Sequence, residues 1–348
     1  MQATTPADGV VASERRALDR AFELAAGGPA HGPNPRVGCV VLDRGGLPVA
    51  EGRHEGAGTA HAEAAAVSAA RRAGVDLTGS TAVVTLEPSA HTGRTGACAQ
   101  LLADAGVRRV VYALSDPNPT ASGGAAVLRA AGVDVVGDVD VARAEALLEV
   151  WLHAVRTGRP FITVKTAMTA DGRVAAADGS SRWITSEPAR GHAHRVRAEV
   201  DAIAIGSGTA LADRPSLTAR NPDGTLADHQ PLRVVIGHRD APLTPDGCEA
   251  LALRTHDPAV VATELGAREV RHLLVEGGPT VVSAFLRAGL VDQVHLYLAP
   301  MLLGAGTAAI TDLGVTTLAD AHRMSWRDVQ ALGPDVLLVG RPAPRRRS

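Results

Sequence analysis

Apolar positions in the first 155 residues recur in two spacings. From Ser13 to Ala26, Leu18, Ala21, Phe22, Leu24 and Ala25 fall on one face of a predicted helix. Unbroken apolar runs, VGCVVL at 37–42 and TAVVTL at 81–86, predict buried strands, and DRGG at 43–46 reads as a hairpin turn into PVAEG. Helices are expected near 61–73, ending at Gly74, and over about 95–105, ending at Gly106. RRVVYAL, a helix at 124–131, the short strand VDVV and a helix at 140–155 complete the pattern. Strands joined by helices imply a mainly parallel sheet covered on both faces.

RTGRP at 156–160 interrupts this rhythm, and a fresh apolar strand begins at Phe161. The boundary is placed there, giving expected domains over 1–158 and 159–348. In the second part strands are predicted at about 161–168, 201–206, 232–236, 250–254, 270–276, 291–299 and 326–340, with helices at 186–199 and 279–288. This is again α/β, with a strand-rich C-terminal end.

Composition narrows the class. A chain of 348 residues suits two domains. Apolar residues make up 45% but aromatic residues only 2%, so the cores must be built from Ala, Val and Leu. The net charge of -2 provides no broad basic field for a phosphate backbone, which argues against a nucleic-acid partner. The basic tail Arg345 to Arg347 reads as a solvated terminus. No apolar stretch reaches the roughly 20 residues needed to span a bilayer, and MQATTPADGV lacks a signal-peptide pattern, so a cytoplasmic protein without a membrane partner is expected. Three cysteines, Cys39, Cys98 and Cys248, suit thiols or metal ligands better than a disulfide framework.

One oddity changes the picture. Of the 35 basic residues 34 are arginine, and the single lysine, Lys165, sits on the apolar strand FITVKTAM. Either one lysine has survived by chance, or this position needs a compact charge of adjustable pKa that a guanidinium cannot supply.

HAEAAAV places His61 and Glu63 at the start of a helix, two residues apart, so one can bind a metal while the other stands beside the metal's water. Zinc deaminases are built on such a pair, with the glutamate passing protons to the leaving nitrogen. H-x-E alone is weak. TLEPSAHTGRTGAC, one strand later, strengthens it by bringing Cys98 to the mouth of the next helix, where the dipole favours a thiolate. Asn34-Pro35 reads as a turn or as part of a pyrimidine pocket, Cys39 as a buried small hydrophobe, and His54 as a phosphate contact or a loop histidine.

The first part resembles the deaminase half of the bifunctional RibD/RibG family of riboflavin biosynthesis through GPNPRVGCVV (32–41), EGRHEGAGTAHAE (51–63), TLEPSAHTGRTGAC (85–98) and ALSDPNP (113–119). The resemblance implies a cytidine-deaminase-like α/β/α domain, Zn2+ on His61 and Cys98, and Glu63 as proton shuttle. Ser89 stands where the family places its other ligand cysteine. A serine hydroxyl is a neutral, weaker ligand than a thiolate. Three arrangements stay open: zinc with Ser89 or water completing the shell, His91 as a nitrogen ligand, or a domain kept as a structural and oligomerisation module beside a working reductase.

In the second part, VEGGPT follows a strand and opens a helix at Pro279, a place for a phosphate anion, and GSGTAL reads as a second glycine-rich turn. Either alone would be a tight strand-to-helix turn. Together with KTAMTADGRVAAADGSSRWITS (165–186) and RVRAEVDAIAIGSGTALADRPSLTAR (195–220), they resemble the RibD reductase half. That implies a dihydrofolate-reductase-like α/β domain that uses NADPH. By resemblance the cofactor lies against Ala167, Trp183, Thr209, Asp213 and the turn Gly278, Pro279, Thr280, Val281, Val282, Ser283 and Ala284. The phosphoribosylaminopyrimidine substrate falls to Ser181, Arg197, Leu217, Arg220 and Glu276, with Arg197 and Arg220 suited to its phosphate through bidentate contacts. Lys165 and Asp213 are the expected pair that stabilises charge as hydride reaches C1 of the ribose. The family implies homo-oligomers. A nucleic-acid base deaminase is the reading from another class, and the near-neutral charge and scarce aromatics speak against it.

Overall fold

The computed structural model describes residues 9–90, 97–241 and 250–343, and the chain divides into two compact units, Met1–Thr157 and Gly158–Ser348. His91, Cys248 and Arg345 to Arg347 lie outside the described residues.

The first unit runs α1 (Ala12–Ala26), β1 (Gly38–Leu42), β2 (Pro48–Arg53), α2 (Ala62–Arg72), β3 (Thr81–Val84), α3 (Cys98–Asp104), β4 (Arg109–Tyr112), α4 (Gly124–Ala130), β5 (Asp134–Val136), α5 (Val141–Leu147) and α6 (Glu149–Thr157). Its sheet has the order β2-β1-β3-β4-β5. β1 is antiparallel to both neighbours, whereas β3, β4 and β5 are parallel, so the sheet is mixed rather than mainly parallel. The hairpin through Asp43–Gly46 is the cause: a tight turn returns the chain antiparallel, and only helical crossovers return it parallel.

Alternation along the strands builds two cores. Cys39, Val41, Ala82 and Val84 face Ala66, Val67, Leu102 and Leu128 of α2, α3 and α4. Val40, Leu42, Val83 and Val111 face Leu18, Phe22, Leu148 and Trp151 on the α1, α5 and α6 side. Small residues let the layers close: a Cβ on Gly38 would meet the Ala21 backbone of α1, and one on Gly124 the carbonyl of Pro88. The helix expected over 140–155 is two helices, broken at Leu148.

The second unit continues with β6 (Phe161–Thr169), β7 (Arg173–Ala175), α7 (Glu187–Glu199), β8 (Ala202–Gly206), α8 (Ser207–Asp213), β9 (Leu232–Ile236), β10 (Ala250–Leu253), α9 (Pro258–Ala267), β11 (His272–Val275), α10 (Pro279–Ala288), β12 (Gln293–Ala299), β13 (Thr307–Ala308), β14 (Met324–Leu332) and β15 (Asp335–Pro342). Eight strands form one sheet, β10-β9-β8-β11-β6-β12-β15-β14. The six from β10 to β12 are parallel, and the β15–β14 hairpin is added antiparallel. The expected single strand at 326–340 is this hairpin, turned at Gly333, whose φ of 66° suits glycine. GSGTAL is the start of α8 rather than only a turn, and β7 pairs with β13 in a small separate sheet.

The two faces of the large sheet differ. Ile162, Val164, Leu273, Val275 and Val294 pack against α9 and α10. The opposite face, under α7 and α8, carries apolar Ile203, Ile205 and Leu274 on one side, but Lys165, His295 and Tyr297 where β6 and β12 run side by side. No helix among the described residues is long and apolar enough to cross a membrane.

Two glycines should respond oppositely to the same change. Gly38→Ala should destabilise the first unit by about 2 kcal/mol or more, because backbone must move. Gly191→Ala, inside α7 with open space at its Cβ, should stabilise the second by about 0.5–1 kcal/mol. Urea titration of each variant reads both signs, and equal effects would contradict the packing described.

Candidate functional sites

In the first unit α2 is preceded by His61, whose φ of -65° and ψ of 160° make it the extended residue before the first turn. Gly52 of β2 lies directly against the Ala62 and Ala66 backbone, which seats this helix end on the sheet. Cys98, the first residue of α3, brings Sγ to 3.3 Å from His61 Nδ1. Glu63 joins them, so that one donor atom from each residue lies within 4.8 Å of the other two. Cys98 is 1% exposed and Glu63 4%. Ser89 is held at the same point: its hydroxyl accepts from the Cys98 N–H at 3.4 Å and its carbonyl from the Ala99 N–H at 3.1 Å.

Glu87 fixes the loop that carries Ser89. Its carboxylate accepts from the Ala125 N–H at 2.9 Å and the Asp116 N–H at 3.1 Å, tying the end of β3 to α4 and the loop after β4. His54 is buried with both ring nitrogens engaged, by Asn34 Nδ2 and the Ala60 carbonyl, each at 3.0 Å, and its ring stands edge-on to His61. It therefore shapes the wall rather than reaching for a phosphate, and Asn34 is drawn to this wall with it. Cys39 is a core residue, as its sequence setting suggests.

Burial pushes Glu63 up to about 7, against the hydrogen bonds from its own backbone and Cys98. Burial also pushes the Cys98 thiol well up, helped by the charge of Glu63 and opposed by Ser89. The thiolate expected from the helix dipole is thus not favoured by the protein alone, and a divalent cation reverses the balance, since a coordinating thiol is deprotonated outright.

The donor set fits zinc. Tetrahedral bonds of about 2.05 Å to nitrogen and 2.3 Å to sulfur would place the two atoms about 3.6 Å apart; here His61 Nδ1 and Cys98 Sγ are 3.3 Å apart. Ser89 brings a neutral oxygen to the Cys98 backbone beside them, and Glu63 completes the cluster. The alternative nitrogen ligand, His91, falls outside the described residues.

In the second unit a cavity of about 730 Å³ opens on the α7 face of the sheet. Lys165, Ala167, Ser181, Trp183, Arg197, Asp213, Leu217 and Arg220 of the sequence expectation line it. Thr209 and the 278–284 turn do not. They meet each other instead, the Gly278 N–H donating to Thr209 Oγ1 at 3.2 Å. Along α10, Val282 and Ser283 are buried, Ser283 accepts from the Thr311 N–H at 2.9 Å, and Val281 packs where Cβ atoms on Gly206 and Gly277 would collide. These side chains serve packing, so a ligand at this end of α10 meets the backbone of the first turn.

Charge is arranged differently from the expectation. The carboxylate beside Lys165 is Glu276, at 3.5 Å, whereas Asp213 lies exposed at the C-terminal end of α8. Glu276 also receives both prongs of Arg197, at 2.7 and 2.8 Å, and Arg197 Nη1 donates to the Thr218 carbonyl at 3.1 Å. The Arg197 fork expected on a phosphate is therefore already occupied, and Glu276 has two cations to balance rather than an anion to bind. Burial alone would raise the Glu276 pKa, but the charges of Arg197 and Lys165, with their hydrogen bonds, bring it to about 2. Arg220 is exposed, with one nitrogen on the Gly224 carbonyl at 2.8 Å.

Leu217 and Arg214 adopt left-handed φ of 54° and 43° in the loop after α8, a conformation that costs a non-glycine residue on the order of 1–3 kcal/mol. It turns the buried Leu217 side chain inward at the cavity. Trp183 is 67% exposed there, with the Arg190 guanidinium 4.5 Å from its ring centroid.

Sequence reading missed Arg190, Tyr297 and His192. Tyr297 lines the cavity, and its hydroxyl lies 2.7 Å from His192 Nδ1. The alternation in VHLYLAP, which puts His295 and Tyr297 on one face, was the available signal. His295 is held neutral: burial, then the charges of His192, His272 and Lys165, lower its pKa to about 4, and the Gln293 amide donates to its Nε2 at 2.7 Å.

Two family models match the chain: the cytidine and deoxycytidylate deaminase zinc-binding region over residues 12–114, and the RibD C-terminal domain over 160–338. Riboflavin biosynthesis protein RibD of Mycobacterium tuberculosis is 48% identical over 311 residues, spanning 88% of this chain and 90% of that one. The Escherichia coli protein of the same name is 39% identical, spanning 92% and 97%. Among solved structures, Acinetobacter baumannii RibD superposes with a TM-score of 0.87 at 34% identity, and a Thermotoga maritima deaminase/reductase with 0.83 at 30%; each comparison covers 95% of this chain and 99% of the other.

Replacing Ser89 by Cys should tighten zinc binding by about tenfold or more in a chelator competition. Unchanged affinity would remove Ser89 from the coordination shell. Acid should weaken the second unit in two stages. His295 has a folded pKa below its ordinary 6.5, so the unfolded chain binds the proton first, and stability falls as pH drops from 6.5 through 4. Glu276 adds a second loss between 4.5 and about 2. Urea midpoints that stay level from pH 7 to 4 would contradict the buried neutral histidine.

Proposed function

Since the chain belongs to the RibD family of riboflavin biosynthesis enzymes, we propose that it performs both reactions named for its Thermotoga relative, with the residues gathered in its two units. It is a deaminase and an NADPH-dependent reductase, with Zn2+ and NADPH as cofactors. The proposed substrate of the first unit is the diaminohydroxyphosphoribosylaminopyrimidine, and of the second the 5-amino-6-(5-phosphoribosylamino)uracil that results. One observation carries the two-activity reading over a reductase with a relict partner: His61, Glu63 and Cys98 converge in a buried cluster with Ser89 beside it.

In the first unit His61, Cys98 and Ser89 would hold the metal, which supplies a Lewis acid that activates water. Glu63 takes a proton from that water and gives it to the leaving amine nitrogen. Its carboxyl, buried beside the His61 and Cys98 donor atoms, is placed for both halves of the transfer. The C–N bond breaks, a carbonyl replaces it, and ammonia leaves.

In the second unit NADPH would supply the hydride for C1 of the ribose, with the C1–O bond opening and the released oxygen taking a proton. Lys165, set between Glu276 and the cavity, stabilises the charge that develops on that oxygen. Ala167, Trp183, Thr209, Asp213 and the first turn of α10 are assigned to the cofactor, and Ser181 and Leu217 to the substrate. The phosphate is assigned to Arg220, with Arg197 and Glu276 setting the electrostatics of the floor. We place the enzyme in the cytoplasm and expect it to self-associate, since β14, at the edge of the sheet, exposes Trp326 and Val329 at 50% and 61%.

Single changes should separate the activities. Glu63→Gln should lower ammonia release about 100-fold or more and leave NADPH oxidation on the deaminated pyrimidine intact. Lys165→Met should do the reverse, and Lys165→Arg should not restore turnover, because a planar guanidinium cannot occupy the same point. A fully active Lys165→Arg enzyme would overturn the assignment of the lysine.

A further inference from the structure

The chain's only lysine stands in the reductase cavity without a short tether. Both Glu276 oxygens accept from Arg197 at 2.7 and 2.8 Å, and the ammonium stands off at 3.5 Å. A charge on a flexible four-carbon stem needs more than so long a contact to hold one position.

A second group faces it. The centroid of the Tyr297 ring lies 5.4 Å from Lys165 Nζ, within the roughly 6 Å at which an aromatic face attracts a cation. In the β6–β12 register His295 is opposite Lys165 and Tyr297 is opposite Ala167, so the ring leans diagonally toward the lysine across a small residue. Ala189 and Ala193 of α7 pack against it with Leu337, and the hydroxyl is fixed 2.7 Å from His192 Nδ1. Although 1% exposed, Tyr297 lines the cavity.

The chemistry suits a support better than a second carboxylate. An aromatic face attracts the ammonium without neutralising it and accepts no strong hydrogen bond, so the N–H donors stay directed at the ligand. Burial and the charge of Glu276 raise the phenol pKa, so no phenolate competes.

We propose that Tyr297, fixed by His192, is the platform that holds the Lys165 ammonium in place for the reduction. Tyr297 and His192 are positioning residues, and their effect on turnover rests on the reading of Lys165 given above.

The solitary lysine makes the test direct, since the full-length chain grown with carbon-13 lysine yields one lysine side-chain signal. In the native enzyme its ε-methylene protons should be displaced upfield by the tyrosine ring. Tyr297→Leu should return them to the solvent value and lower reductase kcat about tenfold, with the KM for NADPH changed less than about twofold. Tyr297→Phe, which keeps the ring, should keep the displaced signal and most of the turnover. His192→Ala, on a half-buried helix position, should lessen the displacement with the fold intact. A lysine signal that Tyr297→Leu and His192→Ala both leave in place overturns the platform, whatever the turnover. If instead the signal moves as expected while Lys165→Met keeps full turnover, the platform stands and the catalytic reading of the lysine falls.

Discussion

A buried carboxylate organises the reductase unit. Glu276 follows the end of β11, next to β6 in the sheet, and its charge is tolerable only because Arg197 and Lys165 meet it there. Arg197 in turn reaches the Thr218 carbonyl, so one carboxylate ties together a sheet strand, the helix α7 and the loop whose left-handed Leu217 borders the cavity. Removing Glu276 would leave two cations without their counter-charge, and removing either cation would leave a buried anion, so the three behave as one unit. The floor of the cavity is therefore preset electrostatically before any ligand arrives, which is what stabilising a developing charge requires.

The deaminase unit solves a different problem. It gathers weakly committed donors: a histidine just before a helix, a thiol that burial keeps protonated, and a serine hydroxyl fixed by the backbone of α3. Burial keeps the thiol protonated and the serine is neutral, so binding a metal here requires the thiol to give up its proton. A divalent ion held by His61, Cys98 and Ser89 would have one anionic ligand, the Cys98 thiolate. Ser89 thus brings a neutral oxygen to the Cys98 end of the cluster, with Glu63 beside the same point.

Much of this was legible in the sequence where the determinants are local. His61 and Glu63 are two residues apart at a helix start, and a helix start is readable from a short stretch. Lys165 stood out by composition, and the alternation of strands and helices gave both α/β units. What was not legible depends on which strands become neighbours. Lys165 and Glu276 are separated by more than a hundred residues and meet because β6 and β11 pair, so the lysine's carboxylate was taken for a phosphate neighbour and Asp213 for its partner. The same pairing logic hid Tyr297, whose importance comes from lying diagonally across from Lys165 on β12. In GSGTAL a glycine that admits Val281 of α10, Gly206, looks in sequence like one that cradles a ligand.

The central claim is that one chain carries out deamination and then reduction. Its most direct measurement follows ammonia release and NADPH oxidation together, in the zinc-loaded full-length protein supplied with the diaminopyrimidine substrate alone. The account predicts one NADPH oxidised for each ammonia released, with oxidation lagging behind release. NADPH oxidation that begins only when the deaminated pyrimidine is added, with no ammonia from the first substrate, would contradict it.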